Sequence, residues 1–126
     1  MTMINHLAGR TVMVVEDDWF IANYITSALG NAGARIAGPV PTADGALDEL
    51  DGRTIPDAAT LDIRLRDGDS LPVARRLAEL HIPFLFVSAS PDHTLAAEMR
   101  VRPRLVKPFA EADLVQAVEA LLRPAA

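Results

Sequence analysis

The sequence predicts an α/β domain in which a doubly wound, five-stranded parallel sheet carries helices on both faces. Three observations lead there. Apolar runs of four to six residues alternate with amphipathic stretches of ten or more, which is the alternation of a βα repeat. Hydrophobic residues make up half of the 126-residue chain, enough for one sizeable core but not for two. The runs also end in reactive groups: Val12-Met13-Val14-Val15 in Glu16-Asp17-Asp18, Ala58-Ala59-Thr60-Leu61 in Asp62, Phe84-Leu85-Phe86-Val87 in Ser88, and Leu105-Val106 in Lys107. The carboxyl ends of parallel strands share one edge, so these groups converge if the sheet forms.

Strands are expected at about Thr11 to Val15, Arg35 to Ala37, Ala58 to Leu61, Pro83 to Val87 and Arg104 to Val106. After the first, Phe20, Ile21, Tyr24, Ile25, Ala28 and Leu29 recur at helical spacing, and Asn31-Ala32-Gly33 supplies a stop. Ala43, Ala46, Leu47 and Leu50 make a short second helix closed by Asp51-Gly52. Asp69 or Ser70 is the expected N-cap of a third helix through Leu80, with Pro72 tolerated in its first turn and Leu71, Ala74, Leu77 and Ala78 facing the sheet. Between Pro91 and Pro103 only Leu95 to Arg100 has room for a helix, of two turns or so. The last helix runs from Glu111 to Leu122 with Leu114, Val115, Val118, Leu121 and Leu122 on one side, and Pro124 ends it. The domain is expected over residues 10–123, behind an extension of residues 1–9 and ahead of a tail at 124–126.

Composition removes several function classes. Without cysteine there are no disulfides, thiolate metal sites or cysteine nucleophiles. No stretch approaches the roughly eighteen apolar residues of a membrane span, and the N-terminus lacks a leader pattern, so a soluble cytoplasmic protein is expected. A net charge of −5 argues against nonspecific nucleic-acid binding, although the arginines cluster in the second half, at Arg100, Arg102 and Arg104. That cluster reads as a solvated face or as a docking surface for an acidic partner. His6, His81 and His93 are scattered and read as exposed structural residues.

The converging groups have a definite chemistry. Two carboxylates about 4 Å apart repel by roughly 4 kcal/mol at an effective dielectric near 20, so Glu16, Asp17 and Asp62 resist ionising together. A divalent cation removes that penalty, and Mg²⁺ suits it: a hard ion takes one or two carboxylates, keeps waters and adds phosphate oxygens. Asp62 at the mouth of a buried strand can attack phosphorus, while Ser88 donates a hydrogen bond and Lys107 supplies a point charge. Taken singly, the acids are also what a helix N-terminus attracts, Ser88 is what caps a loop, and Lys107 is a surface lysine. The joint pattern is far rarer.

As a set, Val14-Val15-Glu16-Asp17, Leu61-Asp62-Ile63, Asp67-Gly68, Val87-Ser88-Ala89 and Val106-Lys107-Pro108-Phe109 resemble the motifs of a response-regulator receiver domain, over Arg10 to Leu122. The resemblance implies a flavodoxin-like fold and a two-component phosphorelay. Asp62 matches the phosphoacceptor, loaded from a phosphohistidine on a sensor histidine kinase or histidine phosphotransfer protein. Glu16 and Asp17 match the acidic pair, with Asp17 the direct Mg²⁺ ligand, Glu16 acting through water, and the Arg64 backbone carbonyl a further ligand. Ser88 matches the switch hydroxyl and Lys107 the phosphoryl-binding lysine, followed by a cis bond to Pro108. Asp18 falls beyond the pair. Arg64 and Ser90 match positions that tune phosphoryl lifetime, and Ala89, Arg104 and Pro108 lie on the signalling surface.

Two departures stand out against the family. Arg104 occupies a place that is often aromatic, and the stretch from Ser88 to Lys107 is shorter than usual by about three residues, roughly one helical turn, which predicts a short or distorted fourth helix. The run Pro103-Arg104-Leu105-Val106-Lys107-Pro108 also resembles some stand-alone receivers of alphaproteobacterial stress pathways. The expected function is therefore a single-domain signalling module rather than an enzyme, acting on an unknown downstream protein, with no nucleic acid or membrane as partner and a homodimer allowed. Rivals are a Mg²⁺-dependent haloacid-dehalogenase-like phosphatase, a Toprim nuclease module and a receiver that is never phosphorylated. Arg64 stands where the first two need a second acid, and every motif position here holds a competent residue.

Overall fold

The computed structural model describes residues 6–52, 55–89 and 96–123. The first apolar run forms β1 (Thr11–Val15), and Asp18 opens α1 (Trp19–Asn31) by accepting the Phe20 and Ile21 amides at 2.9 and 3.2 Å. α1 stops at Gly33, whose φ of 101° lets Gly33 N donate to Gly30 O and Ala34 N to Leu29 O, a Schellman closure. β2 (Arg35–Val40) and α2 (Ala43–Leu50) follow, then β3 (Ala58–Asp62). Two short strands, β4 (Arg64–Leu65) and β5 (Gly68–Asp69), pair antiparallel before α3 (Leu71–Glu79). The chain ends with β6 (Phe84–Ser88), a 3₁₀ turn at Ala97–Met99, β7 (Arg104–Val106) and α4 (Glu111–Leu122).

The main sheet has the order β2-β1-β3-β6-β7, parallel throughout. That is the expected doubly wound, flavodoxin-like arrangement, in which the order reverses at β1 and β3. Alternate residues serve opposite faces. Met13, Val15, Ala59, Leu61, Phe84 and Phe86 pack toward α2 and α3, while Val12, Val14, Ala58, Leu85 and Val87 pack toward α1 and α4. Both faces are covered, which is why these strands read as continuous apolar runs.

Several expectations need correction. β2 continues to Val40 instead of ending at Ala37, because Gly38-Pro39 is absorbed as a bulge: the β1 register steps from Met13↔Ala37 to Val15↔Val40. An edge strand tolerates the proline, whose missing N–H is not needed there. The loop after Asp62 is the β4–β5 hairpin, too short to show any period in sequence. Leu7, assigned to the N-terminal extension, is fully buried, and its amide donates to Ala32 O at 2.9 Å. Part of the extension therefore packs onto the domain. Ser70 stands at the N-cap of α3 without a side-chain capping bond, and Asp69 beside it accepts the Leu71 amide through Oδ1 at 2.9 Å.

Within the helical repeat of α1, Phe20 and Tyr24 are 79% and 39% exposed, whereas Ala22, Ile25, Ala28 and Leu29 are buried. The short fourth helix is seen in extreme form: among the described residues it is one 3₁₀ turn that buries Met99. Leu95, Ser90 and His93 lie outside the described residues, while His6 and His81 are exposed as expected.

Candidate functional site

Each site residue is delivered by a strand end. β1 emerges into Glu16 and Asp17, β3 ends in Asp62, β6 ends in Ser88, and β7 is followed by Lys107. The bulge in β2 has a consequence at this edge, since Val40 O accepts the Glu16 amide at 3.0 Å and fixes the chain where the acidic pair begins. On the other side the Lys107 amide donates to Ser88 O at 2.8 Å, extending the Ser88↔Val106 register to the lysine itself. The Lys107–Pro108 bond is cis, as the resemblance implied.

Carboxylate oxygens of Glu16, Asp17 and Asp62 lie within 4.8 Å of one another. Lys107 Nζ is 3.0 Å from Glu16 Oε1 and 3.6 Å from Asp62 Oδ2. Glu16 is buried, and its Oε2 accepts the Asp18 amide at 3.1 Å. Burial, assisted by the adjacent Asp62 carboxyl, pushes Glu16 up to about 7, against the opposing pull of the Asp18 amide and the Lys107 ammonium. Asp62 and Asp17 are partly exposed, so the site opens to solvent.

This donor set suits a hard cation. Three carboxylates face one ammonium, all ligand atoms are oxygen, and burial raises the pKa of the acid with least access to water. Glu16, Asp17 and Asp62 are the residues that could hold Mg²⁺. Arg64, two residues beyond Asp62, lies in β4 with its side chain exposed. Ser88 is buried at the same edge. Ala89 and Pro108 are exposed beside it, and Arg104 is partly buried on β7, opposite Phe86.

Three features escaped the sequence. A cavity of about 570 Å³ adjoins the site, lined by Phe20, Tyr24, Ala89, Lys107, Pro108 and Phe109. Tyr24 shapes it by donating from Oη to Phe109 O at 2.9 Å and setting its ring edge-on to Phe109. Asp67 lies away from the acidic cluster and accepts the Ala43 and Asp44 amides at the start of α2, at 2.8 and 3.1 Å. Arg102, expected on a solvated face, stacks its guanidinium 4.7 Å from the ring centre of buried Phe84. The Phe20-Tyr24 spacing could have flagged the cavity; no local signal marks the other two.

Comparison with known proteins agrees with this architecture. The chain is 34% identical over 117 residues to the transcriptional regulatory protein PrrA of Mycobacterium tuberculosis, covering 89% of this chain and 49% of PrrA. It is 31% identical to the transcriptional regulatory protein GltR of Pseudomonas aeruginosa, covering 93% and 50%. The chain thus spans about half the length of the curated relatives it matches. Among solved structures it is similar to SdrG from Sphingomonas melonis Fr1, with a TM-score of 0.79 and 35% identity over 98% of this chain and 100% of that one. The receiver domain of sensor histidine kinase PA1611 from Pseudomonas aeruginosa PAO1, solved with a magnesium ion coordinated in its active-site cleft, has a TM-score of 0.80 over 91% of this chain and 98% of that one; at 22% identity it speaks to the fold. No described helix is long and apolar enough to cross a membrane. The response regulator receiver domain model matches residues 12–119, which with the strand order and the acidic edge places this chain in the response regulator receiver domain family.

Proposed function

We propose that the protein is the phosphoacceptor of a two-component phosphorelay, taking a phosphoryl group onto Asp62 and signalling through a partner protein. One observation carries the reading: Lys107 Nζ lies 3.0 Å from Glu16 and 3.6 Å from Asp62, within a group of three carboxylates whose oxygens fall inside 4.8 Å. A carboxylate set between an ammonium and a cation site can attack phosphorus without the oxygens repelling it.

An Asp62 carboxylate oxygen attacks the phosphorus of a phosphohistidine; the O–P bond forms as the P–N bond breaks, and the imidazole leaves with the electron pair. Glu16, Asp17, Asp62 and the Arg64 backbone carbonyl would hold Mg²⁺, which supplies positive charge against the phosphoryl oxygens. Lys107 pairs with the transferred group, and Ser88 donates a hydrogen bond to it. Water returns the carboxylate by hydrolysis, at a rate tuned by Arg64 and Ser90. Ala89, Arg104 and Pro108 belong to the surface that reports the state of the site. The donor is a sensor histidine kinase or a histidine phosphotransfer protein, the receiver unit spans residues 10–123, and the setting is cytoplasmic.

The test is incubation with Mg²⁺ and acetyl phosphate, followed by intact mass measurement. A gain of one phosphoryl group is expected on wild type and none on Asp62→Asn. An unmodified wild type, or an equally modified Asp62→Asn, would sink the reading.

A further inference from the structure

We infer that Asp67 is a positioning residue for the metal site, tethering the β4–β5 hairpin, and with it the Arg64 carbonyl, to the start of α2. The inference rests on the Mg²⁺ reading of that site and adds a residue outside the acidic cluster.

The tether acts on the β4–β5 hairpin. It leaves the sheet one residue after Asp62 and has two residues per strand, with Arg64 opposite Asp69 and Leu65 opposite Gly68. So small a ribbon has little stability of its own. Its base is secured, because Ile63 and Leu65 are buried and the Ser70 amide donates to Ile63 O at 2.9 Å. Its tip is held by Asp67, whose Oδ1 accepts the Ala43 amide at 2.8 Å and whose Oδ2 accepts the Asp44 amide at 3.1 Å.

α2 does not need this second cap in order to start. Thr42 is its own N-cap, with Oγ1 accepting the Gly45 amide at 3.0 Å. The exposed Asp44 amide could be served by water, as first-turn amides commonly are, whereas the part-buried Ala43 amide has Asp67 as its acceptor. A two-oxygen clasp reaching across 24 residues instead sets the distance between helix and hairpin. The helix dipole favours an anion there, and the same two amides hold the Asp67 carboxyl below the usual carboxylate range. What the clasp orients is the strand between Asp62 and its own position. Arg64 is the carbonyl ligand proposed there, and groups that orient a ligand from outside the first shell commonly contribute ten- to a hundredfold in metal affinity.

Mg²⁺ titrations followed by Trp19 fluorescence and by calorimetry test this in wild type, Asp67→Ala, Asp67→Asn and Thr42→Ala. Asp67→Ala is expected to weaken affinity about tenfold and Asp67→Asn by less, since the amide keeps one acceptor. Thr42→Ala is expected to lower thermal stability and leave Mg²⁺ affinity unchanged, which separates tethering from helix stability. In wild type, Mg²⁺ is expected to slow amide hydrogen exchange at Ala43 and Asp44, a readout that needs no variant to fold. Equal affinity in wild type and Asp67→Ala, an equal loss in Thr42→Ala, or exchange at those amides indifferent to Mg²⁺ overturns the inference. A wild type that does not bind Mg²⁺ removes the proposed function as well, and the first titration shows it.

Discussion

The Lys107 ammonium is 3.0 Å from the buried Glu16 carboxylate, closer than its 3.6 Å approach to Asp62. The strand-end lysine is therefore anchored by one acid while still within reach of the next. An ion pair removed from water is costly unless its geometry is good, and here the remaining Glu16 oxygen is engaged by the Asp18 amide.

Replacing Lys107 by alanine should slow phosphorylation by acetyl phosphate about a hundredfold, the usual loss when one charge-stabilising donor is removed. Lys107→Arg should recover little, because a planar guanidinium fork does not reproduce the placement of a compact ammonium. Rates of adduct formation by mass spectrometry decide this. A Lys107→Arg variant with wild-type rate would show that charge alone suffices.

Glu16 makes the metal-free protein lose stability as pH rises. Its folded value of about 7 lies above the ordinary 4.5, so between those pH values the folded state holds a proton that the unfolded chain has released. Stability from this group is complete below about 4.5 and is lost as pH climbs through about 7. In chelator, melting temperatures of wild type should fall relative to Glu16→Gln across that window and run parallel above it. Saturating Mg²⁺ should erase the relative fall by favouring the ionised carboxylate.

The strands and the reactive edge were legible because both faces of the sheet are buried. Four apolar runs then stand out, and the residue after each run falls at the carboxyl edge without further information. Glu16, Asp62 and Lys107 meet for that reason. Less local features were not legible. β4 and β5 are too short to show a period, and Asp67 reaches partners 24 residues away through backbone amides that carry no sequence signal. The bulge at Gly38-Pro39 reads as a stop because those residues usually make one. On α1 the period marks an apolar stripe but not which of its edges meets the sheet, so Phe20 and Tyr24 were grouped with Ile25.

Phe20 is 79% exposed, so Phe20→Ser should change unfolding free energy by no more than about 0.5 kcal/mol. Ile25, 1% exposed, should cost about 2–5 kcal/mol when cut to alanine. Urea denaturation of the two variants makes the comparison, and a Phe20→Ser loss as large as that of Ile25→Ala would return Phe20 to the core.

Gly38 is the most exacting backbone position next to the site. Its φ is 108°, and a β-carbon there would lie 2.8 Å from Val14 O and 2.9 Å from Val40 N. Both neighbours are backbone atoms of paired strands and cannot swing aside as a side chain would. Gly38→Ala should therefore cost about 2 kcal/mol or more, combining the disfavoured conformation with displacement of the bulge. The damage should also reach the acidic pair, because Val40 O is the acceptor of the Glu16 amide. Urea unfolding and a Mg²⁺ titration on the same variant should show both effects together. Gly30→Ala is the contrasting change: Gly30 lies inside α1 with nothing within 4 Å of an added β-carbon, so alanine should hold or raise stability and leave Mg²⁺ binding alone.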